Sequence, residues 1–116
     1  ASYLQSSRGP RGDTVARQVF AELDAFHSLH PDTRATHGVV VGATVDQSAL
    51  GLDLAKAPGM TVLAPGFGAQ GVDLSDASSL FPNTERLLPV AARSLVSGRA
   101  EGFADRIRHA QSELRL

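Results

Sequence analysis

The chain has 116 residues, with 11 Lys and Arg against 12 Asp and Glu and a formal charge of −1. That balance leaves no electrostatic basis for binding nucleic acid or a membrane surface, so the expected partner is a small molecule. A content of 42% hydrophobic and 20% charged residues is too apolar for disorder, and no run approaches the ~18 apolar residues of a bilayer span. Cysteine is absent, which excludes a disulfide scaffold, a zinc ribbon and a thiol nucleophile and fits a reducing, cytoplasmic compartment.

The opening Ala1-Ser2-Tyr3-Leu4-Gln5 has no initiator Met, basic n-region or apolar h-region, so it reads neither as a signal peptide nor as an ordinary start, and a fragment is expected. Ser6 to Gly12 combines two Ser, two Gly, one Pro and two Arg, and residues 1–12 are expected to form a loop. Val15, Val19, Leu23 and Phe26 then fall at i, i+4, i+8 and i+11 with Arg17, Glu22 and Asp24 between them. This is an amphipathic helix, capped by Asp13 or Thr14. The polar stretch from His27 to His37, with Pro31, ends it.

Gly38 to Ala43 is a β-branched run without alternation, the pattern of a parallel strand buried on both faces. A helix is expected over 44–56, with Val45, Ala49 and Leu52 on one side and Pro58-Gly59 beyond its end. Thr61 to Ala64 gives a second strand, followed by the glycine-rich loop 65–71 and a brief helical turn over 76–80. Arg86 to Val90 gives a third strand, weakened by Pro89, which cannot donate to a ladder. Ala91 to Val96 reads as a short helix. The last helix covers 100–114, with Phe103, Ile107, Ala110 or Gln111, and Leu114 on one stripe.

Strands begin near residues 39, 61 and 87, one every 22 to 26 residues, with helices between them. Such alternation implies an α/β fold with a parallel sheet, either doubly wound or part of a (β/α)8 barrel. A whole barrel needs typically ~250 residues, so residues 1–116 make a single incomplete domain of about three β/α units. An open three-stranded sheet would also leave two apolar edges exposed.

Chemistry in such folds sits at the C-terminal ends of the strands: here Gly42-Ala43-Thr44, the loop 65–71 and Ala91-Ala92-Arg93. Glycines let backbone N–H groups approach an anion, Gln70 adds a side-chain donor, and Arg93 adds a guanidinium suited to a phosphate dianion. The bland alternative is a tight turn beside a surface arginine. Gly66, Gly68 and Gly71 also match G-x-G-x-x-G, but no long helix opens inside the run and no acid ends the next strand, which argues against a dinucleotide site.

His27, His30 and His37 are expected as solvated loop side chains rather than metal ligands, at the end of the first strand away from the rim. Arg106, Arg108, Glu113 and Arg115 are expected on the wet face of the last helix, and Lys56, the only lysine, at a helix end where it complements the dipole.

The series Asp13-Thr14-Val15-Ala16, Gly38-Val39-Val40-Val41-Gly42-Ala43-Thr44, Leu63-Ala64-Pro65-Gly66-Phe67-Gly68-Ala69-Gln70-Gly71 and Leu88-Pro89-Val90-Ala91-Ala92-Arg93 resembles the C-terminal part of orotidine 5′-phosphate decarboxylases of the actinobacterial-type branch. The resemblance runs from about Gln5 to the end. It implies strands six, seven and eight of a TIM barrel, and a homodimeric enzyme that converts orotidine 5′-monophosphate to uridine 5′-monophosphate without metal or organic cofactor. It further implies that Pro65 lies near the pyrimidine, that Gly66, Gly68 and Gln70 adjoin the phosphate, and that Arg93 binds it. The family's Lys/Asp network lies in the first half of the barrel, and this chain has no Asp-x-Lys pattern. No catalytic residue is therefore expected here, and an N-terminal barrel part is the expected partner. Two other readings are a non-catalytic half-barrel that binds a phosphorylated ligand or a partner chain, and part of another phosphate-binding barrel enzyme.

Overall fold

A computed structural model describes residues 2–31 and 37–114. Its elements in chain order are α1 (Ser2–Ser6), α2 (Val15–Leu29), β1 (Gly38–Val40), β2 (Thr61–Pro65), α3 (Ala77–Leu80), β3 (Arg86–Val90), α4 (Ala92–Val96) and α5 (Phe103–Glu113). The strands form one parallel sheet in the order β1-β2-β3, with Val40 opposite Leu63 and Leu63 opposite Leu88. Parallel strands in chain order, joined by a turn-rich crossover between β1 and β2 and by α3 between β2 and β3, match the arrangement of part of a (β/α)8 barrel.

Along β2 the pleat sends Val62 and Ala64 into the core at 1% and 0% exposure, while Leu63 stands on the opposite face at 39%. Met60, Phe67, Leu74, Ala77, Phe81, Leu87 and Ala91 complete that core, with Leu80, Ala110 and Leu114 packed against it. The other face is bare: Val40 and Leu88 are 68% and 53% exposed. Burial on both faces of the first strand is thus corrected, because only one face has a layer upon it.

The result is a slab of 53 × 34 × 21 Å with a radius of gyration of 16.0 Å, against roughly 13.4 Å for a compact domain of this length. Among the described residues no helix is long and apolar enough to cross a membrane.

Thr14 caps α2 by accepting the Arg17 N–H at 3.1 Å, and its hydroxyl donates to the Leu50 carbonyl. The helix runs on to Leu29, and His30 leaves the helical region ahead of Pro31, because a proline also restricts the residue before it. Residues 2–6, expected as loop, are helical instead. The Ser7 N–H and Oγ both return to the Tyr3 carbonyl, at 3.0 and 2.6 Å, and close that turn.

The helix expected over 44–56 does not form. The Asp46 carboxylate captures the Ala49 N–H at 2.9 Å, one turn closes through Leu50 N–H to Asp46 O, and Gly51 then enters the left-handed region at φ +67°. That conformation terminates a helix. Only a single 3-10 turn, Leu54–Lys56, follows before β2.

His27 also departs from expectation. It is buried at 8% exposure on α2, and its Nδ1 lies 2.8 Å from His37 Nε2 just ahead of β1. The rings meet nearly edge-on, and His37 also packs on Phe26. Arg106 is not a purely wet residue either: its Nε donates to Leu95 O at 2.8 Å and its Nη atoms to Arg99 O at 3.2 Å, tying α5 to α4 and to the segment after it. Arg108 is exposed, in an ion pair with Asp105; Arg115 lies outside the described residues. Lys56 pairs with Asp53 at 3.2 Å with both side chains largely solvated.

Candidate functional site

A parallel sheet delivers all its strand ends to one rim, and two ladder-like bonds continue past the strands there. Ala43 N–H donates to Pro65 O at 2.8 Å, and Phe67 N–H donates to Val90 O at 3.3 Å. The glycine loop is therefore held between the end of β1 and the end of β3.

Gly66 and Gly68 have φ values of +115° and +76°, a region that L side chains rarely adopt. At Gly66 a Cβ would lie 3.0 Å from Gln70 Oε1 and 3.6 Å from Ala43 Cβ, so the bare backbone lets Gln70 fold over the loop.

These features enclose a pocket of about 150 Å³ lined by Pro65, Gly66, Gln70, Val90, Ala92 and Arg93 among others. That is several times the ~30 Å³ share of one water in the liquid. Four of the five site residues expected from the sequence thus share one wall. Arg93 stands in the first turn of α4, exposed, and its guanidinium makes no hydrogen bond or ion pair among the described residues.

Gly68 does not line this pocket. Its N–H donates to Val72 O at 2.7 Å, its carbonyl accepts from Gly71 N–H, and its Cα faces Ser94 on α4. The amides of Ala69 and Gln70, by contrast, make no backbone hydrogen bond among the described residues. Ala69, Gln70 and Arg93 thus bring backbone amides, a carboxamide and a guanidinium to a pocket whose described lining has no carboxylate.

Sequence reading missed Ser94, whose hydroxyl donates to Ala91 O at 3.2 Å while its Cβ braces the loop. It also overlooked the Ala69 amide. The only available signal was Ser94's position one residue after Arg93. Among the described residues no group of three or more His, Asp or Glu side chains is placed to hold a metal.

Fold and rim together have the form of part of a β/α-barrel protein with a donor-rich pocket at its strand ends. The sequence comparisons narrow this class. The chain is 38% identical over 95 residues to the orotidine 5′-phosphate decarboxylase of Myxococcus xanthus, covering 80% of this chain and 33% of that protein. It is 34% identical over 112 residues to the Salinispora tropica decarboxylase of the same name, covering 90% and 38%, and 34% identical over 95 residues to that of Salinispora arenicola, covering 81% and 33%. The chain is a relative of the orotidine 5′-phosphate decarboxylases and spans about a third of the length of the curated relatives it matches. No family model and no solved structure matches it.

Proposed function

We propose that this chain is the phosphate-binding, C-terminal part of an orotidine 5′-phosphate decarboxylase. The observation that supports this most is the single pocket joining Pro65, Gly66, Gln70 and the uncommitted Arg93. In this reading Arg93 and the Ala69 and Gln70 donors hold the 5′-phosphate, and Pro65 borders the pyrimidine. The reaction breaks the bond between the ring and the carboxylate, leaves the electron pair on the ring carbon as CO2 departs, and delivers a proton there. A lysine in a Lys/Asp network, carried by the rest of the barrel, supplies that proton. The reading calls for neither metal nor organic cofactor, and for a cytoplasmic homodimer in pyrimidine synthesis.

The phosphate is remote from the bond that breaks, so its binding energy serves to organise the site and stabilise the transition state. Calorimetric titration of uridine 5′-monophosphate against uridine, in the chain assembled with the remaining barrel, tests the assignment. Phosphate-dependent affinity that Arg93→Ala abolishes is the expected result. Equal affinity for the two ligands would overturn it.

A further inference from the structure

The glycine loop is pinned at its base. Phe67 is buried and its N–H donates to Val90 O, while bonds from Gly68 N–H to Val72 O and from Gly71 N–H to Gly68 O close the turn that carries Ala69 and Gln70 to the rim pocket. Gly68, in the left-handed region, is the joint between base and tip. Among the described residues, Ser94 alone would meet a Cβ built on Gly68, through its own Cβ at 2.8 Å and through its hydroxyl. Behind the pair lies a second cavity of about 140 Å³, lined also by Leu74, Arg106, His109 and Ala110. Neither Gly68 nor Ser94 lines the rim pocket, so their contact forms the wall between the two spaces.

We propose that Ser94 is a positioning residue: it holds the loop tip at the separation from Arg93 at which the Ala69 and Gln70 donors and the guanidinium close on one phosphate group. The inference rests on the phosphate reading above and adds the residue that sets the spacing of its donors. Successive helix residues point about 100° apart, so α4 turns Arg93 to the rim pocket and Ser94 to the back of the loop. The Ser94 hydroxyl donates to Ala91 O at 3.2 Å, just past the end of β3, and that bond keeps the side chain from swinging away from Gly68. Two consecutive residues of one helix thus fix the guanidinium and the stop against which the loop rests. Without the hydroxyl, the joint at Gly68 has no side chain of its own to hold it, and it settles toward the rear cavity, drawing the tip away from Arg93. A donor set assembled around one anion loses affinity steeply when its members part by ~1 Å.

The test compares Ser94→Ala and Ser94→Thr with the parent, in the chain assembled with the remaining barrel, by titrating uridine 5′-monophosphate and uridine and by recording the amide resonances of Ala69 and Gln70. Alanine keeps the Cβ and favours the helix. Threonine keeps the hydroxyl, whose bond to a carbonyl three residues back suits a helical threonine, and its methyl has the rear cavity to enter. Ser94→Ala should weaken binding of the monophosphate about tenfold, leave uridine binding unchanged and shift both amide resonances. Ser94→Thr should return affinity and resonances to the parent's values. Three results would overturn the proposal: equal weakening for both ligands, amide resonances that Ser94→Ala leaves unmoved, or a Ser94→Thr variant no better than Ser94→Ala. If the parent binds both ligands alike while the two amides still shift in Ser94→Ala and return in Ser94→Thr, the spacing role stands and the phosphate reading alone falls.

Discussion

Ser94 occupies the space that a side chain on Gly68 would need. A Cβ at Gly68 would lie 2.8 Å from Ser94 Cβ and closer still to its hydroxyl, and the Gly68 φ is +76°. Gly68→Ala therefore meets two separable penalties, steric and conformational. It should destabilise the chain by about 2–3 kcal/mol, of which Ser94→Gly in the double variant recovers only the steric share, leaving about 1–2 kcal/mol. Denaturant melts of the single and double variants measure the division.

Arg93→Ala should cost about 3 kcal/mol of binding to a phosphate monoester, on the order of 10² in affinity or in kcat/KM of the assembled enzyme. For the analogue lacking the phosphate, variant and parent should differ little. An equal loss for both ligands would place the role of Arg93 elsewhere.

Gln70→Ala should show the same phosphate-dependent pattern with a smaller loss, roughly 1 kcal/mol, because a neutral carboxamide donor is replaced while the Ala69 and Gln70 amides remain. Paired titrations with uridine 5′-monophosphate and uridine give the comparison.

Thr14 is 4% exposed and serves α2 twice, as acceptor for Arg17 N–H and as donor to Leu50 O. Thr14→Ala should lower stability by about 2 kcal/mol, and Thr14→Ser should recover most of it by keeping both bonds. Urea midpoints with an unchanged slope are the measurement.

His27→Ala removes a buried ring that bonds His37 and lies against Gly59. A loss of about 2–3 kcal/mol is expected, because both packing and a buried hydrogen bond go. Exchange rates of the β1 amides should rise with it, since His37 immediately precedes that strand.

The three strands were legible because each is a short apolar or β-branched run bounded by glycine, proline or polar residues; Arg86–Val90 agrees residue for residue. The helix over 44–56 was not. Apolar spacing registers neither the Asp46 carboxylate competing for an amide nor a left-handed Gly51. The partnership of His27 with His37 depends on how α2 returns to β1, which local pattern does not encode. At the rim, residue types near strand ends pointed to Arg93, Gln70, Pro65 and Gly66, which line one pocket, but separating Gly66 from Gly68 required knowing which glycine faces Ser94.

Every described residue that lines the rim pocket lies within 65–93, and the bond holding the loop to β3 joins Phe67 to Val90. Closing so short a stretch of chain carries a small entropic cost. The bond from Ala43 N–H to Pro65 O then steadies the same loop from the end of β1. Under the proposed function, phosphate recognition falls to this one stretch of sequence, while the chemistry falls to residues outside it.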